Sequence, residues 1–208
     1  DQLYRLGQLL GRLHAIGASR PFEHRETLGV QNFGHDSLNT LLDGGFVPRS
    51  LLPAYESVAR DLLKRVEDVF ASTHFTPIRL HGDCHPGNIL ARDDAFHLVD
   101  LDDCRMGPAV QDLWMMLAGE RHERLGQLAE LVDGYNEFHD FAPRELPLIE
   151  ALRALRLMHY SAWLARRWDD PAFPMSFPWF GSERYWGDQV LILREQMAAL
   201  QEEPLRLF

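Results

Sequence analysis

The chain has 208 residues, 46% of them hydrophobic, which is enough to bury the core of one domain of ordinary size. Its formal net charge of −10 disfavours nucleic acids and anionic membrane surfaces, since both are themselves negative, and a cationic or neutral substrate fits better. The 2 cysteines are too few for a disulfide framework, and neither a secretory leader nor a long apolar run is present. We therefore expect a cytoplasmic protein, monomeric, without nucleic-acid or membrane partners.

The first part of the chain has the periodicity of amphipathic helices. Leucines recur at three- and four-residue steps over residues 2–16, which predicts an opening helix. Residues 18–50 carry scattered glycine, proline and asparagine, and we predict mostly loop around one short helix. A second long helix is predicted over residues 51–71, with Lys64, the only lysine of the chain, on its solvent face.

The pattern changes over residues 76–100 to short apolar runs separated by glycine, proline and aspartate. Runs of this length predict short strands around a loop. They lie at residues 78–80, 88–90 and 96–99, with a turn at 92–94.

Helical periodicity returns after this insert and continues almost to the last residue. The predicted helices cover residues 109–119, 122–139, 145–168 and 183–202. Prolines and aromatic residues interrupt the pattern over residues 168–182, and we interpret these aromatic side chains as a packed cover over the helices. The predicted fold class is α+β, mostly helical, with one small β insert.

The β insert contains the densest group of reactive side chains. Residues 81–88 read HGDCHPGN, and residues 99–103 read VDLDD. The spacing of Asp83 and Asn88 is similar to that of the protein-kinase catalytic loop, in which the aspartate accepts a proton from the substrate hydroxyl and the asparagine holds magnesium. Asp100 follows at the place of the second metal-binding aspartate. Hard oxygen ligands and one carboxylate aimed at a hydroxyl are what phosphoryl transfer requires.

The loop itself is built to be short and stiff. Four intervening residues bring Asp83 and Asn88 to one side of a tight turn, and Pro86 stiffens it. We expect Gly82 and Gly87 to adopt backbone angles that a side chain would forbid.

The segments HGDCHPGNIL, VDLDD and GPAVQDLW resemble the aminoglycoside phosphotransferase and choline kinase superfamily. The resemblance spans nearly the whole chain and implies a protein-kinase-like fold that uses ATP and Mg²⁺. It implies Asp83 as the catalytic base and Asn88 and Asp100 as the residues that bind the metal and the nucleotide. His81 and Gly82 would shape the loop, and Asp112 would brace it from beneath.

One part of the kinase pattern is absent from the sequence. There is no G-x-G-x-x-G loop, and Lys64 lies on a helix instead of a strand. The resemblance therefore implies that residues 1–208 are a C-terminal lobe that starts just after the hinge. The catalytic loop is residues 81–88 and the metal-binding segment is residues 99–103, whereas the N-terminal lobe that clamps ATP is expected to lie outside this chain.

Three functional hypotheses remain open at this point. The leading one is a bacterial serine/threonine protein kinase whose partners are ATP and a protein hydroxyl. The second is a small-molecule kinase that acts on an aminoglycoside, choline, homoserine or a sugar hydroxyl. The third is a non-catalytic binding module, which describes the isolated fragment.

Several side chains near the motif have ordinary structural interpretations. His81 and His85 are expected to hold the loop, and a zinc site made of these two and Cys84 is disfavoured because adjacent ligands on one tight loop rarely converge. Cys84 and Cys104 are expected to be buried thiols rather than redox sensors. The aspartates at 102 and 103 either pair with Arg105 or deepen a negative field near the metal.

Overall fold

Over residues 2–92 and 95–207, which are those the structure describes, the computed structural model contains seven α-helices and four short β-strands. The helices are α1 (Gln2–Gly17), α2 (Asp36–Asp43), α3 (Leu52–Ser72), α4 (Arg121–Tyr135), α5 (Leu148–Arg166), α6 (Ala172–Ser176) and α7 (Glu183–Ala199). The strands are β1 (Ile78–Leu80), β2 (Ile89–Arg92), β3 (Ala95–Leu98) and β4 (Arg105–Gly107). The α+β, mostly helical prediction is therefore confirmed.

The strands form two separate antiparallel pairs, β1 with β4 and β2 with β3. The three predicted strands are confirmed within a residue or two. β4 was missed because Arg-Met-Gly has one apolar side chain and no apolar–polar–apolar alternation, unlike the equally short β1, and it becomes a strand only by pairing with β1. Of the predicted turn at 92–94, residues 93 and 94 lie outside the described residues.

The chain divides into two units, and the first comprises residues 1–28, 73–149 and 204–208. Within it α1 packs on α4 at backbone contact distance. A Cβ atom placed on Gly7, Gly11 or Gly134 would collide with a main-chain carbonyl oxygen of the opposite helix. These glycines therefore allow a closer approach than side chains would, and they bring the end of α1 beside the end of α4.

The second unit comprises residues 29–72 and 150–203. The apolar face of α3 is buried there at Tyr55, Val58, Leu62 and Val66, whereas Val69 is only partly buried. The ring of Tyr55 meets that of Trp186 on α7 edge-on, with centroids 5.1 Å apart. Lys64 is exposed, as predicted. Among the aromatic residues of 168–182, Phe180 is fully buried whereas 39% of Trp179 is exposed, so the packed cover is confirmed only in part.

The helix predicted over 109–119 is wrong. The structure has two single 3-10 turns instead, Ala109–Asp112 and Trp114–Met116. All four residues of the first turn are buried, so no side of it faces solvent as one side of an amphipathic helix does. None of the helices in the described ranges is long and apolar enough to cross a bilayer.

Candidate functional site

Main-chain hydrogen bonds close the loop of residues 81–88 on itself. The His85 N–H donates to the Asp83 carbonyl at 3.0 Å, and the Asn88 N–H donates to the His85 carbonyl at 2.9 Å. The side-chain Nδ2 of Asn88 also donates to the Asp83 carbonyl, at 3.0 Å. This bond orients the buried amide so that its oxygen is the atom left to accept or to bind a cation.

Asp100 lies at the same end of the β2–β3 hairpin as Asn88. The Val99 N–H donates to the Asn88 carbonyl at 3.0 Å, which places Asp100 one residue beyond the position opposite Asn88. Asp100 has φ 62° and ψ 68° and is the one non-glycine residue with a positive φ in the described ranges. A left-handed aspartate is uncommon, and such strained residues concentrate at functional sites.

The carboxylate of Asp83 is partly accessible and has a histidine beside it. Its side chain is 21% exposed, and its Oδ2 is 3.5 Å from His85 Nε2. His85 Nδ1 accepts the Gly87 N–H at 3.0 Å, so the ring proton is on Nε2 and faces the Asp83 carboxylate. The prediction of an unusual backbone angle at Gly87 is wrong, because its φ is not positive. A Cβ on Gly87 would instead meet the ring of His85.

Beneath the loop, the fully buried carboxylate of Asp112 accepts two main-chain N–H groups. His81 donates to Oδ2 at 2.7 Å, and Gly82 donates to Oδ1 at 2.9 Å. Gln111 adds a bond from its Nε2 to the Gly82 carbonyl at 2.9 Å. The turn of residues 109–112 therefore holds the first two residues of the loop. It accepts the N–H groups of His81 and Gly82 and donates to the carbonyl of Gly82.

The first two loop residues also contact segment 99–103, for which the sequence predicts metal binding. The His81 ring Nε2 donates to the Val99 carbonyl at 2.8 Å, directly before Asp100. Gly82 has φ 88°, and a Cβ there would collide with the Asp103 carbonyl oxygen. The structure thus brings together the segments at 81–88 and 99–103 that were singled out in the sequence.

Sequence reasoning missed three buried polar residues behind the site. His14 Nε2 lies 2.9 Å from Asp112 Oδ2, and His14 Nδ1 lies 2.8 Å from the hydroxyl of Tyr135. Glu145 Oε2 accepts the Val110 N–H at 3.0 Å, and burial raises the pKa of this carboxyl. One signal of this buried group was available in the sequence. His14 is a polar residue on the apolar face of α1, one turn after a buried leucine.

The cysteines and aspartates near the motif largely have the structural roles that the sequence predicts. Cys84 is buried, and burial raises the pKa of its thiol. Cys104 is only partly buried, so the prediction of a buried thiol is wrong there. Asp103 forms an ion pair with Arg105, as one of the two alternatives stated. Within residues 2–92 and 95–207, no three histidine, cysteine or acidic side chains are grouped so as to hold a metal ion.

Comparison with known proteins decides the family. The model of the phosphotransferase enzyme family matches residues 1–149, which is most of the chain. The chain belongs to this phosphotransferase family. The matched residues include the whole loop, segment 99–103 and Asp112, so the resemblance noted in the sequence is confirmed at the level of the family.

Curated relatives are similar to this chain over 207 of its 208 residues. Stress response kinase A of Escherichia coli (strain K12) is 45% identical over 207 residues, covering 100% of the chain and 62% of the relative. The serine/threonine protein kinase RdoA of Salmonella typhimurium (strain LT2) is 44% identical with the same coverage. The chain therefore spans about three fifths of the length of these curated relatives.

Solved structures show that the chain has the kinase-like fold. A choline/ethanolamine kinase family protein from Mesorhizobium loti superimposes with a TM-score of 0.64 at 18% identity, covering 94% of this chain and 62% of that one. An amicoumacin kinase, solved with AMP-PNP and Ca²⁺, gives 0.63 at 16% identity, covering 100% and 61%. At these identities the likeness concerns the fold alone.

Proposed function

We propose that the complete protein carrying this chain transfers the γ-phosphoryl group of ATP to a serine or threonine hydroxyl of a protein. The observation that carries the proposal is the grouping of Asp83, Asn88 and Asp100 at one end of the β2–β3 hairpin through the bonds described above. Relatives named stress response kinase A and serine/threonine protein kinase RdoA, at 45% and 44% identity, support a protein as acceptor.

The residues have distinct roles in this proposal. Asp83 accepts the proton of the attacking hydroxyl, and the Nε2–H of His85, 3.5 Å away, steadies its carboxylate. The bond from Asn88 Nδ2 to the Asp83 carbonyl ties the orientation of the metal-binding amide to that of the base.

Asn88 and Asp100 fit a magnesium ion, because an amide oxygen and an exposed carboxylate are the hard donors that this cation prefers. When bound, the ion would neutralise charge on the phosphate oxygens. The left-handed backbone of Asp100 is the observation in the structure that most directly supports a ligand role, since strained residues of this kind concentrate at functional sites.

We propose further that the 208 residues are a C-terminal lobe and that an N-terminal segment of the complete protein clamps the nucleotide. Two observations support this division: the curated relatives are longer, with 62% of their length covered, and the one lysine, Lys64, is exposed on α3. A cytoplasmic location and a monomeric state stay predictions.

A second candidate acceptor is a small hydroxylated molecule. The fold is shared with an amicoumacin kinase and with a spectinomycin phosphotransferase, the latter at a TM-score of 0.59 and 12% identity. Asp83 would have the same role toward either acceptor, so the catalytic loop alone does not separate the two hypotheses.

The decisive experiment compares the complete protein with its Asp83→Asn variant, using Mg²⁺ and ATP with a panel of protein acceptors and a panel of amino alcohols, sugars and aminoglycosides. We expect transfer to serine or threonine, falling about 10²- to 10⁴-fold in the variant because the base is lost. The exposed Asp61 on α3 provides the matched control, and Asp61→Asn should retain full activity. Wild-type rates in Asp83→Asn would refute the assigned base, and turnover of metabolites alone would favour the small-molecule hypothesis.

The non-catalytic hypothesis concerns the 208 residues by themselves. We expect them to bind Mg-ATP weakly and to show no measurable turnover, because nothing in this sequence supplies the glycine-rich loop and strand lysine that hold the phosphates. Robust phosphotransfer by the isolated chain would contradict the proposed division into lobes.

A further inference from the structure

A chain of buried polar groups runs from the end of α4 to the catalytic loop. It starts at the hydroxyl of Tyr135, passes through the ring of His14 near the end of α1, and reaches the carboxylate of Asp112. His14, Tyr135 and Asp112 are all fully buried. Asp112 then holds the main-chain N–H groups of His81 and Gly82, so the last members of the chain belong to the loop itself.

The direction of each hydrogen bond follows from the chemistry of the groups. The Asp112 carboxylate can only accept, so His14 Nε2 carries a proton and donates to Oδ2 at 2.9 Å. In the neutral imidazole, His14 Nδ1 is then the acceptor for the Tyr135 O–H at 2.8 Å. Burial raises the pKa of Tyr135, which keeps its hydroxyl protonated and able to donate.

Asp112 needs a third partner to hold its orientation. Its two loop bonds are to different oxygens, Oδ2 to His81 and Oδ1 to Gly82, so a small rotation of the carboxylate would lengthen one as it shortened the other. The His14 bond to Oδ2 opposes that rotation from the side of α1. The close glycine contact of Gly11 with the carbonyl of Tyr135 in turn sets the separation of the two helices that hold the ring.

We infer that His14 is a positioning residue for phosphoryl transfer, which acts through Asp112 to place the catalytic loop and is itself oriented by Tyr135. This role rests on the proposed function, because it assigns His14 to the loop that carries the base. It makes α1 a physical connection to the catalytic loop. His14 touches neither the acceptor nor the nucleotide, so its loss should lower kcat and leave KM for ATP nearly unchanged.

The test uses four variants of the complete protein. His14→Leu removes both ring bonds, His14→Gln keeps a donor toward Asp112, and Tyr135→Phe removes only the hydroxyl. Leu10→Ala is the matched control, because Leu10 is fully buried one turn earlier on the same face of α1 and its truncation loosens packing without removing a bond to Asp112. For each variant we would measure kcat, KM for ATP, the melting temperature, and hydrogen exchange of the His81 and Gly82 amides by NMR.

We expect His14→Leu to lower kcat by about 10- to 100-fold, since a displacement of the base by about 1 Å has a cost of this order. In His14→Leu the His81 and Gly82 amides should exchange faster than in Leu10→Ala, with each variant measured the same number of degrees below its own melting temperature. His14→Gln should recover most of kcat, and Tyr135→Phe should give a smaller loss than His14→Leu.

Two results would overturn the inference. One is a kcat loss in His14→Leu that equals the loss in Leu10→Ala once their melting temperatures are matched, which is what a purely structural residue gives. The other is unchanged exchange of the His81 and Gly82 amides in His14→Leu. If the wild-type protein transfers no phosphoryl group, the proposed function fails, and the exchange measurement still decides whether His14 positions the loop.

Discussion

Replacing Asp112 by asparagine should destabilise the protein strongly without changing the volume of the side chain. Three donors converge on the two carboxylate oxygens, namely the N–H groups of His81 and Gly82 and the Nε2–H of His14. An asparagine has one oxygen and one NH₂ group, so in either orientation at least one buried main-chain N–H faces another donor. An unsatisfied buried donor costs about 1–3 kcal/mol, and the surviving bonds lose their charge assistance.

We therefore expect the free energy of unfolding to fall by about 2–4 kcal/mol in Asp112→Asn, a large share of the roughly 5–15 kcal/mol that stabilises a typical protein. Urea unfolding of the complete protein, followed by circular dichroism, measures this as a lower midpoint at constant m value. The exposed Asp68 on α3 provides the control, and Asp68→Asn should change stability by less than about 0.5 kcal/mol. A loss below about 1 kcal/mol in Asp112→Asn would refute the assigned hydrogen bonds.

Three further predictions concern packing, pH and thiol reactivity. Gly11→Ala should lower the free energy of unfolding by about 1–3 kcal/mol, because its Cβ would collide with the last carbonyl of α4. Gly126 has open space around it, so Gly126→Ala should raise the free energy of unfolding by up to about 1 kcal/mol. Urea midpoints measure both variants, and equal effects would contradict the contact between Gly11 and α4. Burial raises the pKa of Glu145 in the folded state above its ordinary value of 4.5. The stability of the wild type should therefore fall as the pH rises from 4.5 through the raised pKa. Glu145→Gln should lack this component of the pH profile of stability. Iodoacetamide should label the half-buried Cys104 before the fully buried Cys84, as mass spectrometry of the native protein would show; the opposite order would place Cys84 in a more open loop.

The helices that the sequence predicted well have one apolar stripe each. In α5 the apolar residues at three- and four-residue steps are all buried, namely Leu148, Leu152, Leu155, Met158 and Ala162. Such a pattern is local, because neighbours three and four residues apart determine which side of the helix meets the core. Segment 109–119 failed for the opposite reason: the six consecutive residues 109–114 are all buried, so periodicity does not reveal the two tight turns.

The candidate site shows the same division. Asp83, Asn88 and Asp100 were identified from a short motif whose chemistry and spacing lie within one stretch of sequence, and their roles stay predictions. The unusual φ of Gly82 was expected from the tight loop and is observed, whereas the angle expected at Gly87 is not. The sequence did not indicate that His85 faces the Asp83 carboxylate, since two ring nitrogens on a loop have many possible partners.

By itself, the sequence determined the family, the class of fold, the helices with one apolar face and the candidate catalytic loop, because each depends on residues close together in the chain. Only the tertiary structure decided what holds that loop in place. His14 lies 98 residues from Asp112 and 121 residues from Tyr135, and a buried histidine on an apolar helix face has no partner that its own neighbours can specify. The partner is set when α1 packs against α4 at glycine contact distance and the turn of residues 109–112 folds beneath the loop.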